Sequence, residues 1–372
     1  MKKWWIFLWI LMATLGQARI SDAQIADMFV IGFDGQTLTR ESPIVRDVCE
    51  RGLGGVILFG KNVKSPAQLK ALTHQLLSCR HQPLIAVDQE GGKVRRIRFG
   101  QEYPRASQAG RMGTRAAGQL YGRMAQELQR LGINYNLAPV ADLDLEPRNY
   151  IIHKLGRSYG RDPRTVRAYN TTFIQAMHRH HVLTSLKHYP GHGSSLGDTH
   201  RGFVDVSKQW NPQELEPFKN AQADSVMVAH VVCTPITEPG RPASLSPRAI
   251  AKLHRINPGA VVITDDLQMG AIRQTYGSLS QVIRLAINAG DDLLLFGNQL
   301  TQKHKVTTRQ LIQIVRRLIA EGKISERKIR AANRRIASMR RKIGLKNILP
   351  SPLRRKRLKP QMKHSASSTD MF

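Results

Sequence analysis

Two segments of this 372-residue chain carry residue types and spacings suited to chemistry. The first is Lys187-His188-Tyr189-Pro190-Gly191-His192-Gly193, followed by Asp198-Thr199-His200. Proline and glycine mark it as a loop, and it gathers three histidines, a lysine and an aspartate. A lone histidine is usually structural, but this density on a glycine-rich loop points to function. Asp198 and His200 stand two apart, so in an extended loop both side chains point the same way. The carboxylate can then hold one imidazole nitrogen and aim the other, which makes a proton shuttle. Its charge also favours imidazolium, so His200 could protonate a leaving oxygen near neutral pH.

The second segment, Val261-Val262-Ile263-Thr264-Asp265-Asp266-Leu267, ends an apolar run in two carboxylates. Desolvating both would be costly without partners or a purpose. Side-chain alternation sends Asp265 and Asp266 in opposite directions, so one can enter a site while the other faces away. Capping of the following helix is the structural alternative for both.

These residues need a frame, and short apolar runs supply one. The candidate strands are Met28 to Phe33, Val56 to Phe59, Leu84 to Asp88, Tyr135 to Val140, Leu183 to His188, Val226 to Val231, Val261 to Asp265 and Leu293 to Phe296. Segments of helical spacing lie between them: Pro66 to Cys79, Ala116 to Leu131, Arg164 to His180, Arg248 to Arg255 and Gln281 to Ala289. Alternating units with continuously apolar strands predict an α/β fold, a single-domain (β/α)8 TIM-type barrel. An open doubly wound sheet fits the periodicity equally. The polar residues favour the barrel, because Asp88, Lys187, His188, His230 and Asp265 all fall at or just past the C-terminal ends of different strands.

Boundaries follow from composition. Lys2 and Lys3, an apolar run from Trp4 to Leu15 and Gly16-Gln17-Ala18 read as a secretory signal over residues 1–18, too short to span a membrane. Residues 19–300 form the barrel and 301–346 a helical extension, with Leu311, Ile314, Val315 and Leu318 facing the barrel. Residues 347–372 form a basic, disordered tail.

The formal charge is +30, and Thr301 to Phe372 holds 21 Lys and Arg against three acids. No aromatic pattern for base stacking accompanies these charges, so the expected partner of the tail is an anionic envelope polymer, not a nucleic acid. Cys49, Cys79 and Cys233 are odd in number and scattered, which predicts three small buried apolar residues without a disulfide framework.

Five segments together carry a resemblance: Asp88-Gln89-Glu90-Gly91-Gly92-Lys93-Val94, Asn136 to Asp142, Gly156-Arg157-Ser158-Tyr159-Gly160, the Lys187 to His200 loop and Thr264-Asp265-Asp266-Leu267. In this order, across Ile25 to Gly297, the chain resembles glycoside hydrolase family 3, and more narrowly its single-domain β-N-acetylhexosaminidases.

The resemblance implies retaining removal of terminal β-linked N-acetylglucosamine from peptidoglycan fragments or chitin-like oligosaccharides, by a monomer needing no metal or other cofactor. Asp265 would be the nucleophile and His200, backed by Asp198, the acid and then the base on a mobile loop. Asp88 would bind sugar hydroxyls, while Arg96, Arg157, Lys187 and His188 surround the sugar and its N-acetyl group. His230 matches a family position but also fits a satisfied core histidine.

The chain departs from the family at Lys93, where arginine is more common, and in its long basic tail. Its signal-like start also departs from the cytoplasmic habit of relatives, making a periplasmic location the expectation and a cytoplasmic one the alternative. Other chemistries remain open. A phosphorylase could use the same residues, a metal hydrolase could use His188, His192, Asp198 and His200, and a non-catalytic barrel could bind cell wall.

Overall fold

The computed structural model describes residues 19–300 and 305–349. The expected signal at 1–18 and almost all of the expected tail lie outside them.

Among the described residues ten strands occur in chain order: β1 (Phe29–Gly32), β2 (Gly55–Leu58), β3 (Leu84–Val87), β4 (Tyr135–Asn136), β5 (Leu183–Tyr189), β6 (Val204–Asp205), β7 (Ser225–Val228), β8 (Val231–Val232), β9 (Val261–Thr264) and β10 (Leu294–Phe296). Eight of them form one parallel sheet in the order β10-β1-β2-β3-β4-β5-β7-β9. A parallel bridge between Ile263 and Leu293, with Thr264 N donating to Leu293 O at 3.0 Å, joins β9 to β10 and closes the ring. Closure excludes the doubly wound sheet and gives the (β/α)8 barrel. Every residue of β1, β2, β3, β7 and β9 is buried, as strands covered by helices outside and packed side chains inside must be.

All eight expected strands are present, but β4 is shorter than the sequence suggested. Pro139 has no N–H to donate and interrupts the ladder, which resumes as a single parallel bridge between Val140 and Lys187. The side chain of Asn136 continues the pairing, accepting from Gln89 N at 3.0 Å and donating to Gln89 O at 2.9 Å.

Four helices open on a Ser-Pro or Asp-Pro pair: Pro43–Arg51, Pro66–Leu77, Pro163–His178 and Pro247–Ile256. Proline suits the first helical turn, where its missing N–H has no helical partner. Ser65, Asp162 and Ser246 accept a backbone N–H of their own first turn, each worth about 1 kcal/mol. The helix Pro43–Arg51 escaped the sequence reading, although Ser42-Pro43 opens it and Gly52, at φ 76°, closes it in the left-handed conformation.

The C-terminal extension forms two helices, Thr308–Ala320 and Glu326–Arg341. Leu311, Val315 and Leu318 are buried as expected, whereas Ile314 is only partly covered. The second helix is also tied to the base of the barrel by charge. Arg340 is fully buried, ion-paired with Asp27 at 2.6 Å and donating to Gly54 O. Truncating Arg340 would strand a buried carboxylate, at a cost of about 3–5 kcal/mol.

The cysteine expectation needs correction. Cys49 and Cys79 form a disulfide with their Cα atoms 4.9 Å apart, and only Cys233 is a free buried thiol. Thirty residues separate the pair in sequence. Consecutive barrel helices lie side by side, however, and this brings the end of Pro43–Arg51 against the end of Pro66–Leu77.

Candidate active site

The sugar-cradle residues expected from the sequence form one network at the C-terminal ends of β3 and β5. Lys187, whose side chain is 2% exposed, places Nζ 2.8 Å from Asp88 Oδ1 and 2.7 Å from Glu90 Oε1. Arg96 Nη2 donates to Asp88 Oδ2 at 2.9 Å. Arg157 grips both oxygens of Glu90, each at 2.8 Å. Burial would raise both carboxyls, but Lys187 and Arg96 hold Asp88 well below the usual carboxylate range, and Arg157 and Lys187 hold Glu90 at about 2. In return, although burial opposes it, Asp88 and Glu90 keep Lys187 charged. The result is a desolvated set of fixed donors, with one of the three Lys187 donors left over for an incoming oxygen.

Glu90 had no role in the sequence reading beyond its motif. Neither had Asp142, a buried carboxylate just past β4. Its Oδ2 lies 2.7 Å from His188 Nδ1, and its Oδ1 accepts the backbone N–H groups of His188 at 3.2 Å and His192 at 2.8 Å. His188 is therefore held with Nδ1 on Asp142, leaving Nε2 turned toward Arg157 Nη2 at 3.4 Å.

Across the barrel mouth, the two aspartates after β9 diverge as alternation requires. Asp266 faces inward among backbone, its Oδ1 accepting from Gln268 N at 3.0 Å and Gly297 N at 3.1 Å. Burial pushes its carboxyl up to about 6 despite those bonds. Asp265 is instead held below the usual range: burial raises it, but the neighbouring His230, His188 and His200 outweigh that. Two adjacent carboxyls thus have separated ionisations, one kept as an anion at the mouth and one serving structure.

His230 satisfies both of its ring nitrogens. Nε2 donates to Asp266 O at 2.9 Å, so Nδ1 is the acceptor facing Ser244 Oγ at 2.7 Å. Burial pushes its pKa down, and with both nitrogens bonded it braces the Asp265 turn.

The Asp198–His200 pair forms as expected, with His200 Nδ1 2.8 Å from Asp198 Oδ1, but by a different local geometry. The segment is a turn and not an extended strand: Asp198 Oδ1 also accepts His200 N at 2.9 Å, and Arg201 N donates to Asp198 O at 3.0 Å. This is the local hydrogen bonding to which aspartate is prone. The loop docks on the helix that follows Asp265. Gly270 N donates to His200 O at 3.2 Å and Ala271 N to Thr199 O at 3.1 Å. A Cβ at Gly270 would lie 2.7 Å from His200 O, so only glycine allows this approach.

Both ends of the loop are anchored too. Glu214 accepts from Gly193 N at 3.0 Å and Ser194 Oγ at 2.6 Å, while β6 pairs with β8 immediately after His230. His200 itself remains open, its side chain 54% exposed.

Two of the three histidines raised as possible metal ligands are committed separately, His188 to Asp142 and His200 to Asp198, while the Nδ1 of His192 is buried without a hydrogen-bond partner. Among the described residues no group of three or more His, Cys, Asp or Glu is arranged to hold a metal ion.

A closed (β/α)8 barrel with an ionised aspartate facing a cationic cradle at its C-terminal mouth has the architecture of a barrel hydrolase. Residues 21–339 match the glycosyl hydrolase family 3 N-terminal domain. The chain is 32% identical over 323 residues to a β-hexosaminidase of Xanthomonas oryzae pv. oryzae, covering 78% of this chain and 92% of that relative. It is similar to a glycoside hydrolase family 3 β-N-acetylglucosaminidase from Paenibacillus sp., with a TM-score of 0.81 at 27% identity over 91% of this chain and 65% of that one. A β-N-acetylhexosaminidase from Beutenbergia cavernae aligns with a TM-score of 0.75 at 25% identity, over 87% of this chain and 99% of that one. The chain belongs to glycosyl hydrolase family 3.

Proposed function

We propose that the protein is a retaining, exo-acting β-N-acetylhexosaminidase that removes terminal β-linked N-acetylglucosamine from peptidoglycan fragments or chitin-like oligosaccharides. One observation carries the reading: an anionic Asp265 across the mouth from the Asp88–Lys187–Glu90–Arg157 network, with the Asp198–His200 pair docked beside it. The cradle supplies an acceptor in Asp88 and donors in Arg96, Arg157 and Lys187 for hydroxyls and an amide carbonyl, with His188 packed beside Arg157.

In this mechanism His200 Nε2 gives its proton to the departing glycosidic oxygen as that C–O bond breaks. Asp265 bonds to the anomeric carbon. The neutral His200 then takes a proton from water, whose oxygen displaces Asp265 and restores the β configuration. A histidine acid avoids placing a second anion beside the nucleophile, and Asp198 holds its Nδ1 so that Nε2 is free for the leaving oxygen.

The test is turnover of an aryl β-N-acetylglucosaminide with and without phosphate. Wild type should release free sugar at a rate indifferent to phosphate, and Asp265→Ala should release none. A near-wild-type rate in that variant excludes the assignment, and accumulation of sugar 1-phosphate makes the protein a phosphorylase.

We infer that the protein works in an oxidising compartment outside the cytoplasm, the periplasm being the expected one. The Cys49–Cys79 disulfide supports this, because glutathione and thioredoxin keep cytosolic thiols reduced. The tail is proposed to hold the enzyme near anionic envelope polymer.

A further inference from the structure

Beyond the cradle, the loops after β2 and β3 border an open pocket of about 540 Å³, lined by Lys64, Arg95, Arg96, Arg98 and Phe99, with Lys64 and Arg98 exposed at its rim. Four cations line it and no carboxylate does. Arg95 has a partner, Glu102, outside the lining, at 2.6 Å and 83% exposed. Among the described residues the side chains of Lys64 and Arg98 have no ion pair or hydrogen bond. Arg96 is the wall shared with the sugar cradle. Its Nη2 is on Asp88, its guanidinium lies 5.8 Å from the Phe59 ring centroid, and its buried Nε has no hydrogen-bond partner.

Barrel order fixes which part of a sugar could reach this cavity. β3 and β9 are four strands apart in either direction around the closed ring, so Asp88 and Asp265 face each other across its diameter. A pyranose whose anomeric carbon meets Asp265 presents its opposite side, with O3, O4 and O6, to Asp88 and Arg96, and of these only O6 stands on an exocyclic carbon that carries it beyond the ring. The leaving group departs on the His200 side, away from the cavity. A substituent on O6 projects past Arg96 into it.

We propose that this cavity is a subsite for an anionic ester, phosphate or sulfate, on O6 of the terminal N-acetylglucosamine. The proposal rests on the glycosidase reading and narrows its substrate class. Guanidinium and ammonium donors are the groups that bind tetrahedral oxyanions, and the two cations without a partner, Lys64 and Arg98, favour a charged ligand over a neutral one.

Two measurements test it. In the first, kcat/KM is compared for 4-nitrophenyl β-N-acetylglucosaminide, its 6-O-sulfo derivative and its 6-phospho derivative, in wild type and in a Lys64→Gln/Arg98→Gln double variant. Wild type should use an ester at least as well as the unmodified sugar. The double variant should lose about tenfold on that ester while staying within about twofold on the unmodified one. The better ester identifies the anion. Turnover of both esters more than about a hundredfold below the unmodified sugar, or an equal loss on all three substrates, overturns the proposal.

The second measurement does not depend on catalysis. Calorimetry should show N-acetylglucosamine 6-phosphate binding wild type about tenfold more tightly than N-acetylglucosamine, an advantage lost in the double variant. Equal affinities overturn the subsite. Absence of turnover with all substrates instead overturns the glycosidase reading and leaves this binding result to decide the cavity.

Discussion

His200 Nδ1 lies 2.8 Å from Asp198 Oδ1, within a turn that Asp198 itself closes through His200 N. One carboxylate therefore sets both the position of the backbone and the tautomer of the ring. Replacing it by asparagine keeps the size but offers Nδ1 an amide that can either donate or accept, so the tautomer is no longer fixed. Asp198→Asn should lower kcat about 10²-fold on substrates with poor leaving groups and much less on nitrophenyl substrates, which need little protonation. Equal loss on both leaving-group classes would mean that Asp198 serves only the fold.

Glu90 holds Arg157 and Lys187 together in a site almost closed to water. Glu90→Gln leaves those cations short of one buried anion, with an expected loss of about 3 kcal/mol of stability and a raised KM. The folded-state pKa, at about 2, lies below the ordinary 4.5, so the wild-type contribution is complete above about 4.5 and disappears as pH falls through 2. Urea unfolding between pH 6 and 3 should show a steeper acid loss in wild type than in the variant. Parallel curves would contradict this.

Glu214, beneath the His200 loop, should behave oppositely. Burial pushes its carboxyl up to about 7 from 4.5, so in between the folded chain keeps a proton that the unfolded chain releases. Its contribution is complete below 4.5 and is lost as pH rises through 7, by up to about 3 kcal/mol. Glu214→Gln, which cannot ionise, should flatten unfolding free energy between pH 5 and 8. An unchanged slope would place the proton elsewhere.

The disulfide predicts a thiol count. Protein isolated without reductant and denatured should show one reactive thiol, Cys233, because Cys49 and Cys79 are joined. Cys49→Ser/Cys79→Ser should lower stability by about 2–4 kcal/mol. Three thiols in protein recovered from the periplasm would contradict the link between this bond and location.

The parts legible in the sequence were those written in local pattern. Apolar runs marked all eight barrel strands, and glycine and proline exposed the Lys187–His200 loop. Divergence of Asp265 and Asp266 followed from strand alternation alone. Glu90 and Asp142 were less visible because each acts through another side chain, Glu90 on Arg157 and Lys187, Asp142 on His188. Such partners are made by strands meeting in space, and no spacing announces them. Cys49–Cys79 was hidden for the same reason, since its closeness depends on two barrel helices lying side by side. The Asp198–His200 contact was expected for the wrong backbone, and the turn propensity of aspartate was the available signal.

The most direct test of the account is to trap the covalent intermediate. In His200→Ala, a nitrophenyl β-N-acetylglucosaminide should still glycosylate the enzyme, because its leaving group needs no acid, while hydrolysis stalls for want of a base. Mass spectrometry of the digested protein should then find one N-acetylglucosaminyl group on Asp265. A group on any other residue, or nitrophenol release from unlabelled protein without a burst, would contradict the assignment of Asp265 and His200.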